Sequence, residues 1–533
     1  MQKSATRLPS RPIDPKRNRW MFSLGTSGRD MYYQLYSAQM MTFIIFTKTL
    51  TDSQFWIINL ILVGRMVFDA VIDPLIGQLI ENTRSRWGRF KPWMIVGMIV
   101  SAFVTIAIFV LPLDGWDFVI FFGIGTFVLA FFYSLNDIAY WGMLPALTSE
   151  PNDRAKVTAL AALTGAFGSA LAVILIPPLT NGDMAIGGSA AIAFPVMAII
   201  CCCAMMGTQL FTIFGAREPE NIQLAAEKAP KLTIKDTIKV VVKNDQLLWA
   251  SLAIFMQCVA GSVATSTLLT FYVYLRFGYV GLFVPASMIG FAIGGATVNL
   301  FLAKWHEKYG RKKCTNFSLI FVLAGALFIL LTGLLLPLIG MDFGSLDLMG
   351  MTFSTIDIML FAALIVGQVF TGFGSNLFYL TMLVSICNTV EYNENRTGQR
   401  QEGLIYSVRP FVLQNGSAVT QAIVGAAFIG LGLNTLSNKI SDLENAAGVE
   451  IQALREEGAA KGILDAVSNL KNENIAALLS GVDEGKIFAL LAAITIIPMV
   501  LLTLGWFVYR KKYFIDEEYY DKMRAETQLR GGI

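Results

Sequence analysis

Histidine is almost missing from this chain, with His306 as the only one in 533 residues. That leaves no imidazole pair for a metal site and none for a catalytic triad. Cysteine is scarce too. Cys201, Cys202, Cys203, Cys258, Cys314 and Cys387 all fall within or beside apolar runs, and none stands at metal-ligand spacing with a histidine. They read as small packing residues. Charged residues make up 15% of the chain, whereas a soluble domain carries roughly a quarter. The basic residues lie between apolar runs and form no amphipathic face, so a net charge of +3 gives no support to a nucleic-acid partner. The first twenty residues, MQKSATRLPSRPIDPKRNRW, lack the apolar core of a secretory signal and read as a cytoplasmic tail. No nucleophile stands beside a base or metal ligand, so nothing in the sequence points to an enzyme.

What is abundant is apolar sequence, at 55% of the chain. It comes in runs that reach or exceed the ~20 residues that span a bilayer core as helix. Twelve spans are predicted, near 24–50, 55–80, 92–112, 117–147, 155–179, 187–215, 246–276, 281–303, 314–338, 355–388, 402–433 and 485–510. The reading is an all-α polytopic membrane protein with two six-helix bundles. Residues 1–216 form the first bundle with its tail, the polar segment 217–245 a cytoplasmic linker, and 246–533 the second bundle.

Lysine and arginine set the predicted sidedness. Arg7, Arg11, Lys16, Arg17 and Arg19 in the tail, Arg84, Arg86, Arg89 and Lys91 after the second span, and Arg154 and Lys156 after the fourth all fall on one side. So do the linker, Lys308, Arg311, Lys312 and Lys313 after the eighth span, Arg396 and Arg400 after the tenth, and the segment from Arg510. Both termini are therefore expected in the cytoplasm, and the protein in the cell's inner membrane as a monomer contacting lipid. One outer loop, 434–484, holds nine acidic and four basic residues. Ile451 and Leu454, then Ile463, Leu464, Val467 and Leu470, predict short amphipathic helices there. A solvated cap over the pore mouth and a passive spacer both fit.

The halves echo one another. ENTRSRWGRFKPW (81–93) follows the second span and EKYGRKKC (307–314) the eighth, each with an acid, a glycine and a basic cluster. This resembles the loop signature of the major facilitator superfamily, whose halves rock about a midplane site.

Ionisable groups are costly in hydrocarbon, so those kept there are functional candidates. In GRMVFDAVIDPLIG (64–77), Arg65, Asp69 and Asp73 fall at i, i+4 and i+8 on one helical face. Two carboxylates one turn apart repel unless a cation or proton joins them, which is the requirement of a coupling site. A plain Arg65–Asp69 salt bridge is the alternative, with Arg65 a gating or structural charge. Pro74 follows and weakens the local backbone ladder. In FYSLNDIAYWGMLP (132–145), Tyr133, Asp137 and Trp141 share a face with Ser134 close by. An aromatic plate beside a carboxylate suits a sugar, the ring taking its C–H face and the acid its hydroxyls. Asp137 and Ser134 are candidates for the cation as well. The first span carries Arg29, Asp30, Tyr33, Gln34 and Ser37 as a polar stripe, with Arg29 either facing a cavity or snorkelling to headgroups. Arg409 in the eleventh span, one turn from Gln414, is expected to be buried and to need an anion, either Glu391 or a group on the solute.

With these residues in place, the chain resembles the glycoside-pentoside-hexuronide:cation symporter family, the melibiose permease-like branch of that superfamily. The carrying pieces are RMVFDAVIDPLIG with RSRWGRFKPW, NDIAYWGMLP, and CNTVEYNENRTGQRQEGLIYSV (387–408). The likeness runs through nearly the whole chain except 434–484. It implies that Asp69 and Asp73 are cation carboxylates, that Asp137 is the fourth-helix aspartate, and that Trp141 and Asp30 face sugar. Tyr379 stands where the family's familiar member has tryptophan. Departures matter as well. Ile72 replaces an asparagine that helps hold Na⁺, Ala162 a fifth-span arginine, and Gln414 a lysine.

The expected function is H⁺- or Na⁺-coupled symport of a sugar or glycoside by alternating access, with an acidic saccharide as one expected cargo. No cofactor is expected, and no metal beyond a transported Na⁺. A lysolipid or other amphiphile carrier of the same fold, or an uncoupled sugar uniporter, is the alternative.

Overall fold

The computed structural model describes residues 15–83, 85, 87–147, 151–216, 244–339, 345–348, 351–397, 405 and 408–529. Arg84, Arg86, Arg400 and nearly all of the 217–245 linker lie outside these.

Helix α1 (Pro15–Gln34) begins nine residues before the predicted first span, inside the expected tail. It runs through a π-turn (Leu35–Gln39) into α2 (Met40–Thr47) without leaving helical backbone angles. Then come α3 (Asp52–Glu81), α4 (Lys91–Val110), α5 (Gly115–Leu147), α6 (Pro151–Thr180) and α7 (Ala190–Gly215). The start of α3 is written in sequence: Thr51 accepts from the Gln54 N–H and the Gln54 side chain accepts from Thr51, a capping box.

The later helices are α8 (Asp245–Ala264), α9 (Thr267–Phe277), α10 (Phe283–Tyr309), α11 (Arg311–Ile339), α12 (Thr355–Thr397) and α13 (Val408–Gly430). After them come α14 (Leu433–Glu456), α15 (Lys461–Ser480), α16 (Glu484–Lys512) and α17 (Glu517–Leu529). Helices α8 and α9 form one span broken at Ser266, whose side chain caps α9. A two-stranded antiparallel hairpin, β1 (Ser345–Leu348) and β2 (Met351–Ser354), which the sequence did not announce, pairs Ser345 with Ser354 and Leu348 with Met351.

Eleven helical spans among the described residues are long and apolar enough to cross a membrane. The α1–α2 rod is not one of them, because its first half is polar and its hydrogen-bond ladder is interrupted. Outward residues such as Phe103, Leu163 and Leu300 are 70–77% exposed, as lipid-facing positions should be.

The same neighbour pattern occurs twice. Helix α1 packs on α6 and α7, α5 on α3 and α4, and α4 on α7. In the later set α8 packs on α13 and α16, α12 on α10 and α11, and α11 on α16. Lipid gives helices no hydrophobic reason to associate, so close approach through small residues carries this packing. A Cβ on Gly28 would strike the Ala204 carbonyl of α7, and one on Gly168 the Ser27 carbonyl of α1.

The 434–484 segment forms two helices, α14 and α15, longer than expected. Ile451 is buried as predicted, but Ile463 and Leu470 point outward, at 50% and 57% exposure. The buried face of α15 is instead Ser468, Lys471, Ile475 and Leu479. A polar anchor at Lys471, rather than apolar spacing, selects that face. At the opposite end, α17 is tied to the start of α11, where Arg311 Nε donates to Glu517 at 3.0 Å and Lys312 to Asp516 at 3.0 Å.

Candidate functional site

Side chains from α1, α3 and α5 of the first set and α12 and α13 of the second make up the site. On α3, the predicted spacing puts Arg65, Asp69 and Asp73 in a line facing inward. Arg65 and Asp69 are buried and Asp73 is half-buried. Arg65 Nε lies 3.8 Å from Asp69 Oδ2, too long for a hydrogen bond. Its guanidinium instead sits over the Tyr36 ring, 4.6 Å from the centroid. Arg65 Nε, Asp69 Oδ1 and Asp73 Oδ1 are buried without a hydrogen-bond partner. A fixed Arg65–Asp69 bridge therefore does not account for this cluster. Gln414 Nε2 on α13 donates to Asp73 Oδ2 at 3.3 Å, and Ser134 on α5 stands beside the same carboxylate.

Next to this cluster stands a fully engaged one. Arg29 is 4% exposed, which removes the snorkelling alternative. Its Nη1 donates to Asp137 Oδ1 at 2.7 Å and its Nη2 to Asp30 Oδ1 at 2.7 Å. The guanidinium lies 4.8 Å from the ring centroids of both Tyr140 and Trp141. Asp137 still keeps 38% of its side chain exposed. One of its oxygens is held by Arg29 while the group reaches open space.

Aromatic side chains form the wall. Tyr133 is buried against Tyr32, Tyr33 and Tyr36, with centroid separations of 5.7, 5.8 and 5.3 Å. Tyr33 is 44% exposed and Trp141 36% exposed, so one face of each ring is open. From the second set, Arg409 donates to the Tyr379 hydroxyl at 3.0 Å. Arg409 is exposed, which corrects the expected burial. It projects into open space with the uncharged Tyr379 hydroxyl as its partner.

Two residues were missed. Tyr36, beneath the Arg65 guanidinium, lies at i+7 from Arg29 and i+3 from Tyr33, on the face of the polar stripe. Tyr140 is the second ring on Arg29, and its hydroxyl donates to the Phe22 carbonyl. Helical spacing carries both signals, Tyr36 at i+3 from Tyr33 and Tyr140 at i+3 from Asp137.

Hydrogen bonds joining described residues of the two sets start at Asp73–Gln414 and run toward the end that carries α14 and α15. They include Gln421 to Asn59 at 3.0 Å and Asn434 to Asp52 at 2.7 Å.

The family model described as MFS/sugar transport protein matches residues 29–447, most of the chain and every side chain of this site. The chain belongs to that family. The resemblance to glycoside-pentoside-hexuronide:cation symporters is thus upheld, and the chain is a multi-span membrane protein of a transporter family. It is 28% identical over 441 residues to a lactose permease of Lactobacillus helveticus, covering 77% of this chain and 62% of the relative. It is 27% identical over 430 residues to a raffinose carrier protein of Pediococcus pentosaceus, covering 78% and 63%. The chain thus spans less than two thirds of the length of these relatives. Among solved structures, a bacterial homologue of the human lysosomal transporter Spinster aligns at a TM-score of 0.53 and 11% identity, covering 94% of this chain and 98% of that one. That likeness concerns the fold.

Proposed function

We propose that the protein imports a saccharide together with a cation by alternating access. The observation that carries this is the pair of α3 carboxylates, each with an oxygen buried and unpaired. In a low-dielectric interior such oxygens are costly, and a travelling positive charge relieves the cost. Asp69 and Asp73 are the ion carriers in this reading. H⁺ is the preferred ion: Ile72 offers no oxygen beside them, and Gln414 turns its N–H₂ toward Asp73. Sodium needs several oxygen donors, a proton one carboxylate.

The sugar lies between Trp141 and Tyr33 on one wall and Tyr379 with Arg409 on the other. Tyr133 backs the plate, and Asp137, Asp30 and Arg29 meet the hydroxyls. Gln414, which touches Asp73, and Ser134 beside it join ion to sugar at the border of both. The names of the lactose and raffinose carriers support the sugar class. The exposed Arg409 guanidinium favours a cargo with an acidic group, and Glu391, near the end of α12, serves as a gating charge.

The basic loops put both termini in the cytoplasm of an inner-membrane protein of twelve spans, counting α1–α2 as the first. The set-to-set bonds then close the outer side, and the site faces inward. A single protomer contains the whole site.

Proteoliposome uptake of lactose, raffinose and methyl-β-glucuronide, with imposed H⁺ or Na⁺ gradients, tests this reading. Gradient-driven accumulation in the wild type, lost in Asp73→Asn, is expected. Uptake indifferent to both gradients makes the protein a uniporter and defeats the proposal.

A further inference from the structure

The α14–α15 hairpin carries charges of a different kind from the rest of its surface. Glu444 is 0% exposed and Lys471 3%, while Glu450, Glu456, Glu457, Asp465 and Glu473 stand in water. Lys471 Nζ lies 3.0 Å from Glu444 Oε1. Residue 471 and the whole of α15 lie beyond the family match, which ends at 447.

Every polar atom of the pair is engaged, and the partners come from three bodies. From the first set, the Ala190 N–H donates to Glu444 Oε2 at 2.7 Å, and Ser189 Oγ donates to the Glu444 carbonyl. From the second set, the Tyr279 hydroxyl donates to Glu444 Oε1 at 2.9 Å. From the hairpin, Lys471 Nζ donates to Glu444 and, at 2.8 Å, to the Gly188 carbonyl. The carboxylate thus sits on the first free N–H of α7, where the helix dipole favours an anion.

The hairpin is continuous with α13 and α16, so it moves with the second set. Its grip is on the first: besides α7, Ser437 donates to the Ile45 carbonyl and Asn445 to the Thr47 carbonyl. A passive spacer has no use for a buried ion pair, whose desolvation is costly unless all partners are in place. Here the partners are complete only while the outer ends of the two sets touch.

We infer that the α14–α15 hairpin is the outer gate of the transporter, latched shut by Glu444 and Lys471 against the start of α7. The inference rests on the alternating-access reading. When the outer side opens, the Ala190, Ser189 and Gly188 bonds break while Glu444 and Lys471 stay together on the hairpin and take up water. The latch therefore releases as a unit and leaves no buried unpaired charge behind.

Two measurements decide it. Spin labels on Asp114→Cys and Glu473→Cys, with the accessible native cysteines replaced by serine, report the outer mouth in nanodiscs. Glu444→Ala/Lys471→Ala should add a longer-distance population, and an unchanged distribution overturns the latch. A Cβ on Gly448 would lie 3.3 Å from the Ala191 Cβ, close to disulfide range. Oxidised Ala191→Cys/Gly448→Cys should lower lactose and methyl-β-glucuronide uptake about tenfold, with recovery under reductant, because rocking is blocked. Undiminished uptake in the cross-linked protein overturns the gate, and this arm stands even where the double-alanine variant fails to fold. Absence of uptake in the reduced protein counts against the transport reading instead, and the spin-label distances then still decide the latch.

Discussion

Two acid clusters in this molecule face the same low dielectric and are treated in opposite ways. At Glu444 every oxygen is bonded, a lysine lies 3.0 Å away, and the pair is shut from solvent. On α3, Asp69 and Asp73 are left with unpaired oxygens, and the nearest guanidinium stands off at 3.8 Å over a tyrosine ring. On the proposed reading, a buried charge that stays put is given partners, and one that receives an ion is left without them. The Arg29 cluster lies between these limits: it neutralises Asp30 and one oxygen of Asp137, yet leaves Asp137 38% exposed for a ligand.

The largest expected effect breaks the open cluster. Asp73→Asn should abolish accumulation: a gradient of about 100 mV supplies about 2.3 kcal/mol per charge, or about fifty-fold accumulation, which should fall to equilibration in proteoliposomes. The engaged cluster should respond in another currency. Arg29→Gln strands two carboxylates and should cost about 3 kcal/mol of stability, read as a lower midpoint in detergent melting, with Asp30→Asn/Asp137→Asn restoring part of it. Asp73→Asn, by contrast, should raise the ion-free melting midpoint by the equivalent of about 1 kcal/mol, since it removes an unpaired buried charge. Coupling and stability then move in opposite directions at one position. A destabilised Asp73→Asn would mean the carboxylate has a structural partner.

Trp141→Ala should weaken sugar binding by about 1–2 kcal/mol, roughly tenfold in Kd by calorimetry, with cation dependence retained. The smallest effect belongs to an exposed pair. The Tyr519 N–H and Lys312 hold the Asp516 carboxyl below its usual range, so its contribution is present above about pH 4 and lost as pH falls through the lowered value. Solvent screens it, and Asp516→Asn should change the melting midpoint by less than the equivalent of about 0.5 kcal/mol.

Much of the open cluster was legible because it is local. Arg65, Asp69 and Asp73 share a face by helical arithmetic alone, and so do Asp137 and Trp141. The span boundaries were legible for the same reason: transfer of side chains to lipid is decided within about twenty residues. The engaged clusters were not. Arg29 meets Asp137 across 108 positions, and Glu444 meets Ala190 across 254. The outward turn of Ile463 and Leu470 shows the limit well, since an apolar stripe gave way to a lysine with three-way bonding.

The sequence by itself determined that this chain spans a membrane, where its helices run, and which face of α3 collects acid, because backbone satisfaction and helical periodicity depend only on neighbours in the chain. Tertiary structure alone decided which acids are paired and which stay open. The energy of a buried charge depends on every partner that packing brings within about 4 Å, and those partners come from helices distant in sequence.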